Sequence, residues 1–167
     1  MCGLTGVLAP QYDASEGLRQ VVNAMTGALV HRGPDAGAVW AEEGIALGHR
    51  RLSILDLSPA GEQPMHSACG RYVIAYNGEI YNHLELRRDL SAARSAPGWR
   101  GHSDTETLIA GIAHWGLDET LCRVKGMFAI AVWDRRAKRL FLARDRIGEK
   151  PLYWGWAGQA LVFGSEL

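Results

Sequence analysis

The chain has 167 residues, 47% of them hydrophobic, which is enough for one domain with a real core, marginal for two, and excludes a disordered chain. Eighteen Lys and Arg balance eighteen Asp and Glu, so there is no electrostatic footprint for nucleic acid or an anionic membrane. No apolar run approaches the ~20 residues of a membrane span, and the N-terminus lacks the charged-then-apolar pattern of a signal peptide.

Cys2, Cys69 and Cys122 are widely spaced, with no CxxC pair. That argues against a disulfide framework and a cysteine-rich zinc site, and it fits a reducing cytoplasm. The six histidines show no HxxxH spacing and read as ordinary surface or core residues.

Leu4 to Leu8 predicts a short strand opening directly from Cys2, and Pro10 with Asp13 marks a turn. From Glu16, residues Leu18, Val21, Val22, Met25 and Leu29 fall at helical spacing. His31-Arg32-Gly33-Pro34-Asp35 breaks that helix. Ala38 to Ala41 and Ile45 to Gly48 read as strands joined by a Glu43-Gly44 turn. Gly48 to Leu57 begins extended and gives way to a polar loop through Gln63-Pro64. Tyr72 to Tyr76 predicts a strand that ends at Asn77-Gly78, a turn dipeptide because both residues tolerate positive φ.

Asn82 with Glu85 resembles a capping pattern for a helix through Leu90, and Ser91 to Gly101 reads as a loop. Ser103-Asp104-Thr105-Glu106 is a capping-box sequence. It starts a helix carrying Leu108, Ile109, Ile112 and Trp115, ended by Gly116. Asp118 to Val124 adds a short helix. Met127 to Trp133 and Leu140 to Ala143 are near-continuous apolar runs that predict adjacent, fully buried strands. Leu152 to Trp154 and Ala160 to Phe163 complete the strands. Strands arrive in runs rather than in strict alternation with helices, which favours antiparallel sheets with helices outside.

The chemistry starts at Cys2. If Met1 is removed, one residue carries a thiol, ordinarily with a pKa near ~8.5, and a free α-amine near ~7.7–8.0. The amine can then take the thiol proton, which gives a nucleophile with its own base. Alone, an early cysteine is more often a small hydrophobe. Three further features change the balance. Arg51 offers a planar fork to a carboxylate. The Asn77 amide and the Gly78 N–H can form an oxyanion hole, where each donor contributes roughly 2.7–4 kcal/mol, and Glu79 adds an acceptor for an ammonium. Asp104 lies in a helix first turn, which alone explains a carboxylate there by about 0.3–1 kcal/mol, and can also receive an ammonium. Together these describe a pocket for an α-amino acid whose side chain bears an acyl group, such as glutamine.

Six segments carry a resemblance. They are Met1-Cys2-Gly3-Leu4-Thr5-Gly6, Arg32-Gly33-Pro34-Asp35, His49-Arg50-Arg51-Leu52-Ser53-Ile54, Asn77-Gly78-Glu79-Ile80-Tyr81-Asn82, Ser103-Asp104-Thr105-Glu106 and Arg144-Asp145-Arg146-Ile147-Gly148-Glu149-Lys150-Pro151-Leu152-Tyr153. In this order they resemble the class II glutamine amidotransferase domain of glutamine-hydrolysing asparagine synthetases, over residues 1–167. The resemblance implies an α+β fold, a four-layer αββα N-terminal nucleophile hydrolase sandwich with two antiparallel sheets. It implies that Cys2 attacks the glutamine amide and that Asn77 and Gly78 hold the oxyanion. Arg51 takes the α-carboxylate, Asp104 with Glu79 takes the α-amine, and Leu52, Ser53, Ile54 and Leu55 line the pocket.

Full-length members of that family have a C-terminal domain that binds ATP and magnesium through a Ser-Gly-Gly motif, which is missing from this sequence. The chain is therefore read as the amidotransferase half, with no cofactor of its own. Its expected partners are glutamine and a synthetase domain or subunit, with neither nucleic acid nor membrane, and a homodimer of the full-length protein is a further expectation. Trp99-Arg100-Gly101-His102 and Glu149 resemble relatives in bacterial surface-polysaccharide pathways, which leaves a carboxylated sugar as an alternative amide acceptor. A non-catalytic pairing domain is the other alternative, favoured if Met1 is retained.

Overall fold

The structure, a computed structural model, describes residues 1–12, 15–52 and 59–167. Nine strands and four α-helices are assigned among them. They are β1 (Gly3–Leu8), α1 (Ser15–Ala28), β2 (Ala36–Glu42), β3 (Ile45–Arg51), β4 (Met65–His66), β5 (Tyr72–Ile80), α2 (His83–Ala92), α3 (Asp104–Trp115), α4 (Leu117–Arg123), β6 (Gly126–Asp134), β7 (Arg139–Arg144), β8 (Tyr153–Ala157) and β9 (Ala160–Gly164). One sheet runs β2-β3-β1-β9-β8 and the other β4-β5-β6-β7. Every pairing is antiparallel.

Alternation along the strands builds three apolar layers, because successive side chains point to opposite faces. Leu4, Ile45, Leu47 and Phe163 of the first sheet meet Val73, Ala75, Ala129 and Ala131 of the second. The opposite face of the first sheet, with Val7 and Ala46, receives Leu18 and Val22 of α1. The outer face of the second, with Ile74, Phe128 and Ile130, receives Leu86 of α2 and Leu108, Ile109 and Ile112 of α3. Helix, sheet, sheet and helices stack as the four layers expected from the sequence.

Three local expectations are corrected. Asn77-Gly78 is not a turn. Strand β5 runs straight through it to Ile80, with Asn77 opposite Ala129 and Gly78 opposite Phe128 on β6. Glycine is needed there for close approach, since a Cβ would collide with the Met127 carbonyl oxygen. Strand β7 is half-buried rather than fully buried, because it is an edge of its sheet. Asn82 makes no side-chain cap on α2. Its amide bridges to the Arg123 carbonyl and the Lys125 N–H instead, at 3.0 and 2.8 Å. The Ser103 cap does form, with Oγ accepting from the Glu106 N–H at 3.3 Å, and Gly44 sits at φ 76° in the β2–β3 turn. Asp13, expected in a turn, lies outside the described residues.

Candidate active site

The strand faces that fill the core also deliver the polar groups. On β3, Ile45 and Leu47 point between the sheets, so His49 and Arg51 continue that face. On β5, Val73 and Ala75 do the same, so Asn77 follows them. Cys2 precedes Leu4 by two residues and continues the inter-sheet face of β1, while Gly3 looks the other way, against Leu29 and Arg32. One end of the inter-sheet gap therefore collects Cys2, His49, Arg51 and Asn77.

Among the described residues, the Cys2 sulfur is held by Leu52. It accepts from the Leu52 N–H at 3.4 Å and reaches the Leu52 carbonyl at 3.6 Å. Arg32 fixes the backbone, donating from Nε to the Cys2 carbonyl at 3.2 Å and from Nη1 to Glu166 at 2.8 Å. The loop carrying Arg32 is clamped on β3, where Asp35 N–H donates to Arg51 O and Arg50 Nε donates to Gly33 O. Cys2, Arg51, Leu52, Gln63, Gly78 and Asp104 all line one cleft. Arg51 is only 9% exposed and Asp104 5%.

Among the described residues, two donors of β5 stand open here, besides the buried Arg32 Nη2. Asn77 is 2% exposed, and its Nδ2 is buried without a hydrogen-bond partner, an arrangement that normally costs free energy. The second is the Gly78 N–H. Alternate residues of β5 send their N–H away from β6; Ile74 faces β4, and three of the others have side-chain acceptors. Tyr72 N–H donates to Ser67 Oγ, Tyr76 N–H to Gln63 Oε1 and Ile80 N–H to Asp104 Oδ2. Gly78 belongs to the same series and faces the cleft.

Asp104 is oriented by two bonds to the same oxygen. Oδ2 accepts from the Tyr76 hydroxyl at 2.6 Å and from the Ile80 N–H at 2.8 Å, which leaves Oδ1 for a ligand. Burial, reinforced by the Asp104 carboxylate, holds the Tyr76 phenol pKa well above its ordinary value, so Tyr76 stays a donor. His49 Nε2 lies 2.9 Å from the Tyr76 carbonyl. Burial lowers the pKa of this imidazole to about 4, assisted by the Arg51 and Arg50 charges.

The structure lines this cleft with the expected Cys2, Arg51, Leu52, Gly78 and Asp104, while Asn77 is buried beside Gly78 on β5 and is not among the lining residues. Glu79 is half-buried, two residues beyond Asn77 on the same face of β5, and does not line the cleft. Ser53, Ile54 and Leu55 lie outside the described residues. Sequence reasoning missed Arg32, Gln63 and Tyr76, although Arg32 stands inside a motif that carried the resemblance. A larger cavity of about 580 Å³ lies elsewhere, between Ser67, Cys69, Pro97 and the outer side of α3.

Residues 1–167 match the family model described as a glutamine amidotransferase domain. The chain belongs to this glutamine amidotransferase family. It is 39% identical over 176 residues to a protein of Bacillus subtilis named asparagine synthetase [glutamine-hydrolyzing] 3, covering all of this chain and 27% of that one. It is 41% identical over 179 residues to a putative asparagine synthetase [glutamine-hydrolyzing] of Mycobacterium tuberculosis, covering 99% of this chain and 27% of that one. The chain therefore spans about a quarter of the length of these relatives. Among solved structures it resembles glutamine phosphoribosylpyrophosphate amidotransferase from B. subtilis, with a TM-score of 0.79 at 22% identity, over 98% of this chain and 42% of that one. That likeness is one of fold, a four-layer sandwich with two antiparallel sheets.

Proposed function

We propose that the domain hydrolyses glutamine to glutamate and ammonia through a thioester on Cys2. The observation that carries the reading is the buried, unpaired Asn77 Nδ2 on β5, whose neighbour Gly78 lines the cleft together with Cys2. Donors left unsatisfied in the resting protein and satisfied by a developing oxyanion favour the transition state over the ground state.

With Met1 removed, the Cys2 α-amine takes the thiol proton and sulfur attacks the side-chain carbonyl carbon. The oxyanion forms against Asn77 Nδ2 and the Gly78 N–H. The tetrahedral intermediate collapses, the amide nitrogen leaves with the proton from the α-ammonium, and ammonia departs. Water, deprotonated by the same amine, then hydrolyses the thioester to glutamate and restores the thiol. Arg51 pairs with the substrate α-carboxylate and Asp104 Oδ1 with its α-ammonium. Glu79 enters this scheme as an additional acceptor near the ammonium, and Ser53 to Leu55 as pocket walls.

The ammonia serves a synthetase domain or subunit that uses ATP and magnesium to activate an acceptor carboxylate. Aspartate is the acceptor that the names of the relatives favour. A reducing cytoplasm keeps the three free cysteines as thiols.

The test is ammonia release from glutamine by protein whose intact mass shows that Met1 is gone. Cys2→Ala should abolish it, and Asn77→Ala should lower kcat by about 10²–10³ with Cys2 still present. Equal ammonia release by Cys2→Ala would overturn the assignment.

A further inference from the structure

Lys150 is 7% exposed, yet its ammonium meets no carboxylate among the described residues. Its backbone N–H donates to Asp145 Oδ2 at 3.1 Å, which fixes where the side chain starts. Among the described residues its Nζ makes one hydrogen-bond-length contact, to the Met1 sulfur at 3.5 Å. A buried ammonium without an anion is expensive to maintain. This one is aimed at the residue whose departure exposes the Cys2 α-amine.

We propose that Lys150 is a positioning residue for the nucleophile: once Met1 is gone, its ammonium flanks the α-amine of Cys2 and keeps that amine unprotonated, ready to take the thiol proton. The proposal rests on the reading of Cys2 as a free N-terminal nucleophile. Its physical basis is Coulombic, since a nearby cation disfavours a second positive charge. Lys150 gains no proton and loses none during turnover; the proton moves from Cys2 Sγ to the Cys2 nitrogen.

Other charges surround the same point and stay constant between the variants compared. Arg32 lies on the Cys2 carbonyl and is itself paired with Glu166. Arg51 and Asp104 line the cleft. Glu79 comes from β5, and Asp145 holds the Lys150 backbone. None of them fills the position that Lys150 occupies beside Met1.

The experiment is the pH profile of kcat/KM for ammonia release, from about pH 5 to 9, on protein verified by mass to lack Met1. Lys150→Met keeps the buried stem and removes the charge, so it does not threaten the fold. Its acid limb should move to higher pH by on the order of one unit. Activity then falls about tenfold on the acid side and stays near wild type on the alkaline side. Lys150→Arg should restore the wild-type profile. A Lys150→Met profile that superimposes on wild type, or that drops by one factor at every pH, overturns the proposal and leaves the Cys2 mechanism standing. Equal activity of samples with and without Met1 would instead remove the free-amine mechanism, and the proposal with it.

Discussion

The Tyr76 hydroxyl donates to Asp104 Oδ2 at 2.6 Å, linking the middle of β5 to the first turn of α3. Tyr76 is itself held at three points by three other segments. Gln63 takes its N–H at 2.6 Å, His49 binds its carbonyl at 2.9 Å, and Asp104 takes its hydroxyl. The Asp104 carboxylate therefore inherits its position from the sheet rather than from its own helix.

Tyr76→Phe removes the hydroxyl and nothing else. A hydrogen bond to a charged group is worth roughly 1.5–3 kcal/mol, so the KM for glutamine should rise about tenfold or more while kcat stays within about twofold. An analogue of glutamine without the α-amine should respond equally to the variant and the wild type. Steady-state ammonia release with both compounds checks this, and an unchanged KM would show that Asp104 needs no help from Tyr76.

Gly78→Ala tests whether close approach or turn geometry explains the glycine. The strand is extended at this point, and an added Cβ meets the Met127 carbonyl oxygen and the Phe128 Cα across the ladder. Overpacking against backbone costs about 1–3 kcal/mol or more. Urea unfolding should show that loss, together with a fall in activity, because the strand must shift at the proposed oxyanion donor. Wild-type stability in this variant would contradict the packing account.

The layer order and most strands were legible from hydrophobic runs, since period-two alternation survives in β1, β3 and β5 and the core simply follows it. Helix α3 was legible from Ser103, whose cap is a local bond. Asn77-Gly78 misled because turn chemistry is a local preference. Pairing with β6 along the whole of β5 outweighs it. The depth of β7 was misjudged because an apolar run gives no sign of whether a further strand covers its edge. Arg51, Asn77 and Asp104 were recognisable as residue types suited to an amino-acid ligand. Tyr76 and Lys150 were not, because their meaning lies in partners 28 and 149 positions away.

Glu106 offers a contrast between two ion pairs on one carboxylate. The group is buried and accepts from the Arg100 and Gly101 N–H groups at 2.9 and 3.2 Å. Arg87, 13% exposed, pairs with it at 3.4 Å, while Arg100, 58% exposed, lies at 3.6 Å. Glu106→Ala takes the carboxylate from Arg87, which keeps its bonds to Thr107, Gly101 and Ser103, and leaves two backbone donors unpaired, so it should cost about 1–3 kcal/mol. Arg100→Ala removes a solvent-screened partner and should cost less than about 1 kcal/mol. Chemical denaturation of both variants decides; comparable losses would mean that burial does not rank these pairs.

His49 makes the fold acid-sensitive in a definite window. Its pKa falls from 6.5 to about 4 on folding, first through burial and then through the Arg51 and Arg50 charges. Above pH 6.5 both folded and unfolded states hold a neutral ring, so His49 contributes no pH dependence. Between 6.5 and about 4 only the unfolded state takes the proton, and stability falls as pH falls, by roughly 3 kcal/mol in all. Below about 4 both states are protonated and the loss is complete. His49→Gln keeps a donor for the Tyr76 carbonyl and removes the titration. Between pH 7 and 4.5 the wild type should lose roughly 2–3 kcal/mol more unfolding free energy than the variant. Asp134 and Asp145, whose carboxyl pKa values lie below their ordinary range, lose stability on acidification in both proteins alike and cancel from the difference. Equal losses in the two proteins would mean that the His49 pKa does not change on folding.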